Sequence, residues 1–419
     1  MNEALWEKTA VAVRRFCVWL DRYGETSYDH QSFFASQLGR RAKALYYRRP
    51  MLGTLAVAPM VFCEGFLPTA RRLFWKPQRF PIADAHYAMG FALLAEIYGA
   101  GHYYQRAIHF LEILLETRCR SYEKYGWGYP FDWQTRNGVL KEGTPLITTV
   151  PYVYEAFSQV YALDQDKRWL RVMQSIAEHA FQDYRDIETG ADAASCGYTP
   201  APDDPAGVIN ASAYRAYLLT KAGLELSQPQ YLEAAKRNLN FVLASQQEDG
   251  SWQYAADGKR DFVDHFHTCF VLKALAKIER MTESPRCRSA IERGIGYYGT
   301  SLFDATGLPV PFSKPPRLTM YRRELYDYGE CINLAVLLEG RFAELDEILS
   351  RVVADLLDQW QKRDGSFRAR RLLIGWDNVP MHRWAQSQVF RSLCFYLSRK
   401  SGATLDGLRS ASLQPMKAS

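Results

Sequence analysis

Two kinds of helix alternate along this chain, and their alternation constrains its fold more than any single motif does. Apolar residues recur at helical spacing almost throughout, and strand signals are few. Six segments are apolar on nearly all sides and lie at 81–94, 144–157, 208–220, 261–275, 326–338 and 379–393. A charged amphipathic helix precedes each of them, at 2–22, 104–120, 166–183, 228–246, 285–299 and 342–362.

A helix that is apolar all round must be enclosed by protein, whereas a half-charged helix faces water. Six of each kind in alternation therefore predict an inner ring of six helices surrounded by an outer ring of six. This is an all-α (α/α)6 toroid over 81–400, completed by the helix at 2–22 and carrying an irregular N-terminal insertion. An open superhelix of helical hairpins is the alternative. Residues 401–419 are expected to form a flexible tail.

The N-terminal segment 1–80 contains an apolar stretch, MLGTLAVAPMVFCEGFL (51–67), with basic residues on both sides. Pro59 and Glu64 interrupt it, and it is short for a bilayer span. Packing into a protein core is the simpler expectation. The alternative is a membrane-surface element attracted to anionic lipid, which predicts peripheral membrane association through 40–79.

Composition bounds the cellular setting and the partners. A hydrophobic fraction of 47% and an aromatic fraction of 14% indicate a globular protein with a large core. The net charge of +6 is modest and no clustered basic arm is visible, so we expect no nucleic-acid partner. Eight scattered cysteines without a CxxC motif, and an N-terminus without signal-peptide features, favour the reducing cytoplasm. The inner membrane surface is the alternative location.

Local motifs carry a resemblance to known toroids. QQEDGSW (246–252) follows an amphipathic helix and resembles the Gln-to-Gly-x-Trp repeat of squalene cyclases and prenyltransferase β-subunits. INASAY (209–214), then QQEDGSW, then VDHFHTCFVLKAL (263–275) resemble toroid proteins of bacterial polysaccharide-biosynthesis clusters, which are distantly similar to glucuronyl C5-epimerases. The resemblance covers most of 80–400. It implies a carbohydrate-active enzyme that modifies an acidic bacterial polysaccharide or its lipid-linked oligosaccharide precursor.

In such a ring the inner helices run parallel, so the residues that open them converge at one mouth. Six positive helix ends meet there, which favours an anionic ligand. The stretch DFVDHFHTCF (261–270) contributes two histidines and two carboxylates. His265 and His267 cannot share a helix face, and we expect His267 to point into the cavity beside Asp264. Their contact would set the tautomer and the pKa of the imidazole for proton transfer.

The remaining candidates are chosen by chemistry and by position at the mouth or in its loops. Groups able to transfer or stabilise a proton are the catalytic candidates: His267, Tyr214, Tyr152, Tyr328, Asp264 and Glu330. Cations, amides, imidazoles and indoles are the substrate-binding candidates: Asn210, Arg383, Trp384, His382, His265, His86, Trp127, Trp252 and Trp376. For each of them, packing or a structural hydrogen bond is the simpler alternative.

Uronate C5-epimerisation or β-elimination by proton abstraction is the reaction that the resemblance implies and these side chains permit. Neutralising the uronate carboxylate acidifies its C5 proton, a step that both reactions share. The predicted roles are base for His267 or Tyr214, acid for Tyr152 or Tyr328, carboxylate clamp for Arg383 and Asn210, and support for Asp264 or Glu330.

Glycoside hydrolysis is the strongest enzymatic alternative, with Asp264 paired to Glu330 or to Asp327. A non-catalytic glycan-binding or scaffold toroid would keep the aromatics without converging histidines and tyrosines. A terpene cyclase or prenyltransferase is less favoured, because DFVD (261–264) is a poor Asp-x-Asp-Asp motif and DHFHTC lacks an Asp-x-Cys partner for zinc. No P-loop, GxSxG or dinucleotide fingerprint occurs, and we expect neither a metal nor a cofactor.

Overall fold

The computed structural model of the protein describes residues 3–316 and 319–400. The predicted tail, 401–419, lies outside these residues. The α-helices of the described part are α1 (Glu3–Tyr23), α2 (Ser32–Ala35), α3 (Gln37–Arg48), α4 (Pro50–Phe66), α5 (Arg71–Phe74), α6 (Pro81–Tyr98), α7 (Gly101–Glu116), α8 (Val150–Asp164), α9 (Lys167–Gln182), α10 (Ile209–Glu225), α11 (Pro229–Ala244), α12 (His265–Thr282), α13 (Pro285–Ser301), α14 (Leu325–Leu337), α15 (Ala343–Asp355) and α16 (Ser387–Ser398).

Two concentric rings of helices form the body of the molecule. The inner helices α6, α8, α10, α12, α14 and α16 pack respectively against the outer helices α7, α9, α11, α13, α15 and α1. Neighbouring inner helices contact one another in chain order, and α16 packs against α6, so the ring is closed. One continuous apolar core lies between the rings. The predicted (α/α)6 toroid is confirmed, and the open superhelix is excluded.

The turn after α11 shows why the Gln-to-Gly-x-Trp pattern suits this fold. Nε2 of Gln246 donates one hydrogen bond to the main-chain oxygen of Gly250, at 3.0 Å, and another to that of Ala290 in α13, at 2.9 Å. The buried indole of Trp252 donates from Nε1 to the main-chain oxygen of Val242, at 2.9 Å. The motif therefore joins adjacent outer helices.

Short strands lie in the connections that lead from outer to inner helices. They are β1 (Trp133–Thr135), β2 (Gly138–Leu140), β3 (Asp186–Gly190), β4 (Ala193–Cys196), β5 (Val263–Asp264), β6 (Phe312–Lys314), β7 (Tyr321–Glu324), β8 (Arg370–Leu372) and β9 (Trp376–Asp377). They pair antiparallel as β1–β2, β3–β4, β5–β6 and β7–β8–β9. Every pair thus lies at the end of the ring where the inner helices begin, which we call the mouth.

The N-terminal insertion, residues 24–80, contains α2 to α5 and lies against the mouth end of the ring. The buried side chains of Asp29 and Arg383 form an ion pair at 2.7 Å, and those of Arg71 and Asp377 form a second one at 2.7 Å. Both pairs connect the insertion to the segment that leads into α16. Among the described residues, no helix combines the length and the apolar character needed to cross a membrane.

Candidate functional site

A carboxylate–imidazole pair lies at the mouth, where α12 begins. Asp264 caps this helix, since its Oδ1 accepts a hydrogen bond from the main-chain N–H of His267 at 2.9 Å. Its Oδ2 lies 2.6 Å from Nδ1 of His267. Asp264 is buried, whereas the His267 side chain keeps 22% of its surface exposed. The predicted contact is present, and it leaves Nε2 as the ring nitrogen of His267 that does not contact Asp264.

Aromatic rings surround this pair. The ring centroid of His267 lies 4.8 Å from that of Tyr254 and 4.4 Å from that of Phe266. Phe266 contacts Tyr326 at 5.2 Å and Trp384 at 5.8 Å, both edge-on. The mouth therefore presents the amphipathic surface that aromatic residues provide at ligand-binding sites.

Below the mouth, polar side chains from five inner helices meet on the ring axis. The hydroxyl oxygens of Tyr152 and Tyr214 are 2.6 Å apart, and Nζ of Lys273 lies 3.5 Å from that of Tyr152. Lys273 forms an ion pair with the fully buried Glu330. The imidazole of His86 packs against Tyr152, with ring centroids 4.6 Å apart.

A second polar group lies further along the axis. Glu155 forms ion pairs with Lys277 and with Arg391, the latter at 3.4 Å, and accepts a hydrogen bond of 2.5 Å from the hydroxyl of Tyr217. Burial alone would raise the pKa of Glu155, but Lys277 and Arg391 hold it at about 2. We call these nine residues, five above and four below, the axial cluster. Three cations and two carboxylates give it a net positive charge.

Burial and neighbouring charge determine the protonation of the upper residues. Burial and the negative charge of Glu330 hold the pKa values of Tyr152 and Tyr214 well above the ordinary value for a phenol. Burial and the cation Arg391 hold the pKa of His86 well below its usual range. At neutral pH both phenols are therefore protonated and His86 is uncharged.

Phe270 links the mouth to the axial cluster. Its ring centroid lies 5.5 Å from that of His267 and 5.2 Å from that of Tyr214. The cavity that Phe270 lines together with Tyr152 and Tyr214 has a volume of about 10 Å³, comparable with one water molecule. A cavity of this size does not admit a sugar ring, so the axis below Phe270 is closed to such a ligand.

Asp327 is a buried carboxyl group in the first turn of α14. Neither of its oxygens has a hydrogen-bond partner among the described residues. Burial, together with the negative charges of Glu324 and Asp264, raises its pKa well above 3.8. Its surroundings therefore favour the protonated, uncharged form of this side chain.

Two histidines predicted to bind substrate, His265 and His382, make their hydrogen bonds within the protein. His265 points away from the axis, with Nε2 2.7 Å from the hydroxyl of Tyr298 and Nδ1 3.2 Å from the main-chain oxygen of Leu302. His382 lies between the hydroxyl of Tyr87, at 2.5 Å, and a main-chain oxygen at 3.1 Å. Burial lowers the pKa of each imidazole to about 3. Both side chains are already fully bonded within the protein.

Arg383 and Tyr328, the predicted clamp and acid, also use their polar groups in contacts within the protein. The guanidinium of Arg383 is buried and makes a bidentate pair with Asp29, at 2.9 and 2.7 Å, which satisfies its charge internally. Tyr328 points outward and donates a hydrogen bond of 2.8 Å to Asp355 of α15. Neither group faces a ligand at the mouth.

The four candidate tryptophans divide into two groups. Trp127 and Trp252 are buried and donate from Nε1 to main-chain oxygens of outer helices, at 2.7 and 2.9 Å, so neither ring is exposed to a ligand in this structure. Trp384 is half-buried at the mouth, and Trp376 is half-buried in β9. Asn210 opens α10, and its buried Oδ1 has no hydrogen-bond partner in the described part of the chain.

Sequence reasoning missed four charged members of the axial cluster: Glu155, Lys273, Lys277 and Arg391. The sequence-based candidates came from the first turn of each inner helix, whereas these four residues lie one to three turns further along. Their signal was a charged residue inside an otherwise apolar helix, since such a charge requires a buried partner.

No protein family matches the sequence, and no curated protein is similar enough in sequence to match it. Similar folds occur among solved structures. An unsaturated glucuronyl hydrolase specific for heparin is 11% identical, with a TM-score of 0.63 over 96% of this chain and 98% of its own. Cellobiose 2-epimerase from Bacillus thermoamylovorans is 9% identical, with a TM-score of 0.60 over 77% and 88% of the two chains. A polysaccharide lyase is 12% identical, with a TM-score of 0.52 over 76% and 90%. These similarities show the toroid fold.

Proposed function

We propose that this protein is an enzyme that modifies an acidic saccharide at its mouth, by proton transfer at the carbon next to a carboxylate. The observation that carries the proposal is the contact between Asp264 and His267, in which a buried carboxylate orients a partly exposed imidazole. An imidazole held in this way acts as a general base or acid near neutral pH. Uronate C5-epimerisation and β-elimination both begin with that proton transfer.

The phenol of Tyr214 is the proposed proton donor on the axial side. Its raised pKa keeps it protonated, and its hydrogen bond to Tyr152 connects it to Lys273. Phe270 contacts both His267 and Tyr214, so its ring has to move aside for a sugar bound beside His267 to reach the Tyr214 hydroxyl.

Positive potential for the substrate carboxylate comes from sources other than the buried Arg383. The N-terminal ends of six inner helices point toward the mouth. Lys273 and the rest of the net-positive axial cluster lie directly below. Stabilising an enolate-like negative charge next to the carboxylate is the chief requirement of this chemistry.

The similar structures support action on a carbohydrate, because their names describe a uronyl hydrolase, a sugar epimerase and a polysaccharide lyase. They do not select one of these reactions, and the choice of proton transfer rests on the residues at the mouth.

The test is incubation with uronate-containing polysaccharides in deuterated water. We expect deuterium at C5 by NMR, or an unsaturated uronate by its ultraviolet absorption. His267→Gln should slow either signal by roughly 100-fold or more, the usual contribution of a general acid or base, with unchanged stability. His102→Gln, on the exposed side of α7, is the matched control. If no polymer gives either signal, or if His267→Gln keeps full activity, proton transfer at this site is excluded.

Hydrolysis is a second candidate, because two carboxyl groups near the start of α12 and α14 have opposite surroundings. Asp264 accepts hydrogen bonds from His267, whereas Asp327 has no partner among the described residues and its pKa is raised by burial. Glycoside hydrolysis requires one carboxyl group that donates a proton, the role proposed for Asp327, and a second carboxyl group, the role proposed for Asp264. Release of reducing ends without deuterium at C5, abolished in Asp327→Asn, would select this reaction.

A further inference from the structure

The insertion helix α4 exposes a continuous apolar stripe. Its members follow one another at spacings of three and four residues, which places them on one face: Leu52, Leu55, Pro59, Phe62 and Phe66. Their helical span is about 21 Å at 1.5 Å per residue. The four large side chains keep 37% to 73% of their surface exposed. The opposite face packs on a small apolar cluster that includes Phe33 and Met60.

Exposed apolar surface is concentrated here. Eight of the seventeen large apolar side chains exposed by the described residues lie between residues 38 and 73. Scattered apolar residues on a surface are ordinary, but a contiguous group marks an interaction site. The expectation of simple core packing for 51–67 therefore holds for one face of the helix only.

Positive charge borders the stripe at both ends. Between 31 and 80 the sequence has nine basic residues and one acidic residue, Glu64, so this segment carries +8 in a chain whose total is +6. Arg48 and Arg49 precede α4, while Arg72 and Lys76 follow it, and all four are exposed. None of the four forms an ion pair within the described residues.

An open groove of about 540 Å³ lies at α5 and the residues that follow it, in the same insertion as the stripe. It is lined by the cations Arg72 and Lys76 together with Tyr28 and Trp75. The indole nitrogen of Trp75 is buried without a hydrogen-bond partner among the described residues. The two cations at this groove suit the phosphate of a lipid headgroup.

We propose that α4 and its basic flanks dock the protein on a membrane surface that contains anionic phospholipid. The stripe would enter the boundary between headgroups and acyl chains, with α4 lying in the plane of the membrane. A second copy of this chain is a poorer occupant, because it would bring two segments of +8 together.

The insertion is firmly attached beside the mouth. Glu64 of α4 pairs with Arg370 at 2.7 Å, and Arg370 pairs with Glu324, the residue before α14, also at 2.7 Å. Docking would therefore bring the mouth close to the bilayer surface. If the proposed function holds, the substrate class is then a membrane-anchored acidic saccharide.

The test is sedimentation of the full chain with vesicles, without any turnover. Phosphatidylcholine vesicles are compared with an equimolar mixture of phosphatidylcholine and phosphatidylglycerol. We expect binding to the mixed vesicles only, weakened by added salt. The double variant Leu55→Asp, Phe62→Asp should bind at least tenfold more weakly, and Arg48→Glu, Arg49→Glu should lose roughly fivefold or more for each charge. Val18→Asp with Arg171→Glu, both exposed on outer helices, is the matched control and should bind normally.

Three results would overturn the proposal. The first is wild-type protein that stays in the supernatant with mixed vesicles, and the second is α4 variants that bind these vesicles as well as wild type. The third is a wild-type protein that does not bind vesicles but forms a dimer, which the Leu55→Asp, Phe62→Asp variant converts to a monomer. That result would assign this face to a second copy. Because no saccharide is present, each of these failures is separate from a failure of the proposed reaction.

Discussion

Gln361 and Ala12 are 349 positions apart in the sequence, yet Nε2 of Gln361 donates a hydrogen bond of 2.9 Å to the main-chain oxygen of Ala12. The same nitrogen lies 3.0 Å from the main-chain oxygen of Gly365. Since Ala12 belongs to α1 and Gln361 follows the last outer helix, these bonds cross the seam at which the ring closes. The equivalent glutamine in the middle of the chain, Gln246, joins two successive outer helices, α11 and α13, and its bond to Ala290 spans only 44 positions.

The seam bond predicts a local effect on α1. Gln361→Ala should lower the free energy of unfolding by about 1–2 kcal/mol, because it removes two hydrogen bonds from partly buried carbonyls. Amide hydrogen exchange should accelerate in 3–23 before other helices respond. Gln246→Ala is the control, with a similar loss of stability and unchanged protection of 3–23. Equal protection of 3–23 in both variants would show that the seam is held by other contacts.

Substitution of Gly365 should destabilise the same seam more strongly. The φ of Gly365 is +98°, and a Cβ at this position would lie 2.4 Å from the main-chain oxygen of Arg15 in α1. Gly365→Ala should therefore cost about 3 kcal/mol or more, from strain and from displacement of α1. Gly340, with φ of +75° and open space around it, is the matched control and should cost about 1 kcal/mol as alanine. Urea denaturation measures both.

The buried carboxyl group of Asp84 should make the free energy of unfolding depend on pH. Burial raises its pKa from 3.8 to about 7, although Arg79 lies 3.0 Å away and opposes the shift. The folded state therefore binds more protons than the unfolded state between these values, and stability from this group falls as the pH rises from 4 to 7. Asp84→Asn should lack that decline, so its stability relative to wild type should rise over this range, by on the order of 4 kcal/mol. A constant difference from pH 4 to pH 8 would contradict the raised pKa.

The side-chain amine of Lys277 should be unusually reactive. Burial, with the positive charges of Arg391 and Lys273, lowers its pKa to about 8, while Glu155 opposes the shift. At pH 8 about half of this side chain is neutral, compared with well under 1% for an ordinary lysine. Competitive acetylation followed by peptide mass spectrometry should label Lys277 with a pH dependence centred near 8. The exposed Lys259 is the comparison, and identical labelling profiles for the two lysines would exclude the lowered pKa of Lys277.

The fold was predictable because each helix carries its own pattern. The charged helix predicted at 285–299 is α13, Pro285–Ser301, and its amphipathic spacing is complete within the segment. The start of α12 was placed at 261 and lies at His265, because Val263 and Asp264 pair with β6 before the helix begins. Strand pairing of that kind depends on residues about 50 positions away and leaves no local pattern.

Within the candidate site, the sequence predicted only the contact between residues that are close together in the chain. Asp264 and His267 are three positions apart, and helical geometry alone brings them together. Lys273 and Glu330 lie on different helices, so their ion pair depends on the rotation of each helix in the ring. Sequence periodicity identifies the apolar faces and does not reveal which distant charge will meet another.

The ion pair of Arg383 is another contact that sequence periodicity does not reveal, and it leads to the last prediction. The predicted role of Arg383 was to clamp a substrate carboxylate, but Asp29, 354 positions earlier, already occupies its guanidinium in a buried bidentate pair. Removing one partner leaves the other charge buried, so Asp29→Asn and Arg383→Gln should each cost about 3–5 kcal/mol. The double variant Asp29→Leu, Arg383→Met should regain much of that loss. The exposed pair Lys236–Asp192, at 3.1 Å, is the control and should contribute less than about 1 kcal/mol.

Urea denaturation of the two single variants and the double variant measures the coupling. A strong coupling assigns Arg383 to holding the insertion on the mouth, and thereby to the position of α4. If each single variant instead costs less than about 1 kcal/mol, the pair opens in solution. Arg383 would then be free to meet a carboxylate at the mouth, and its role as a clamp would return.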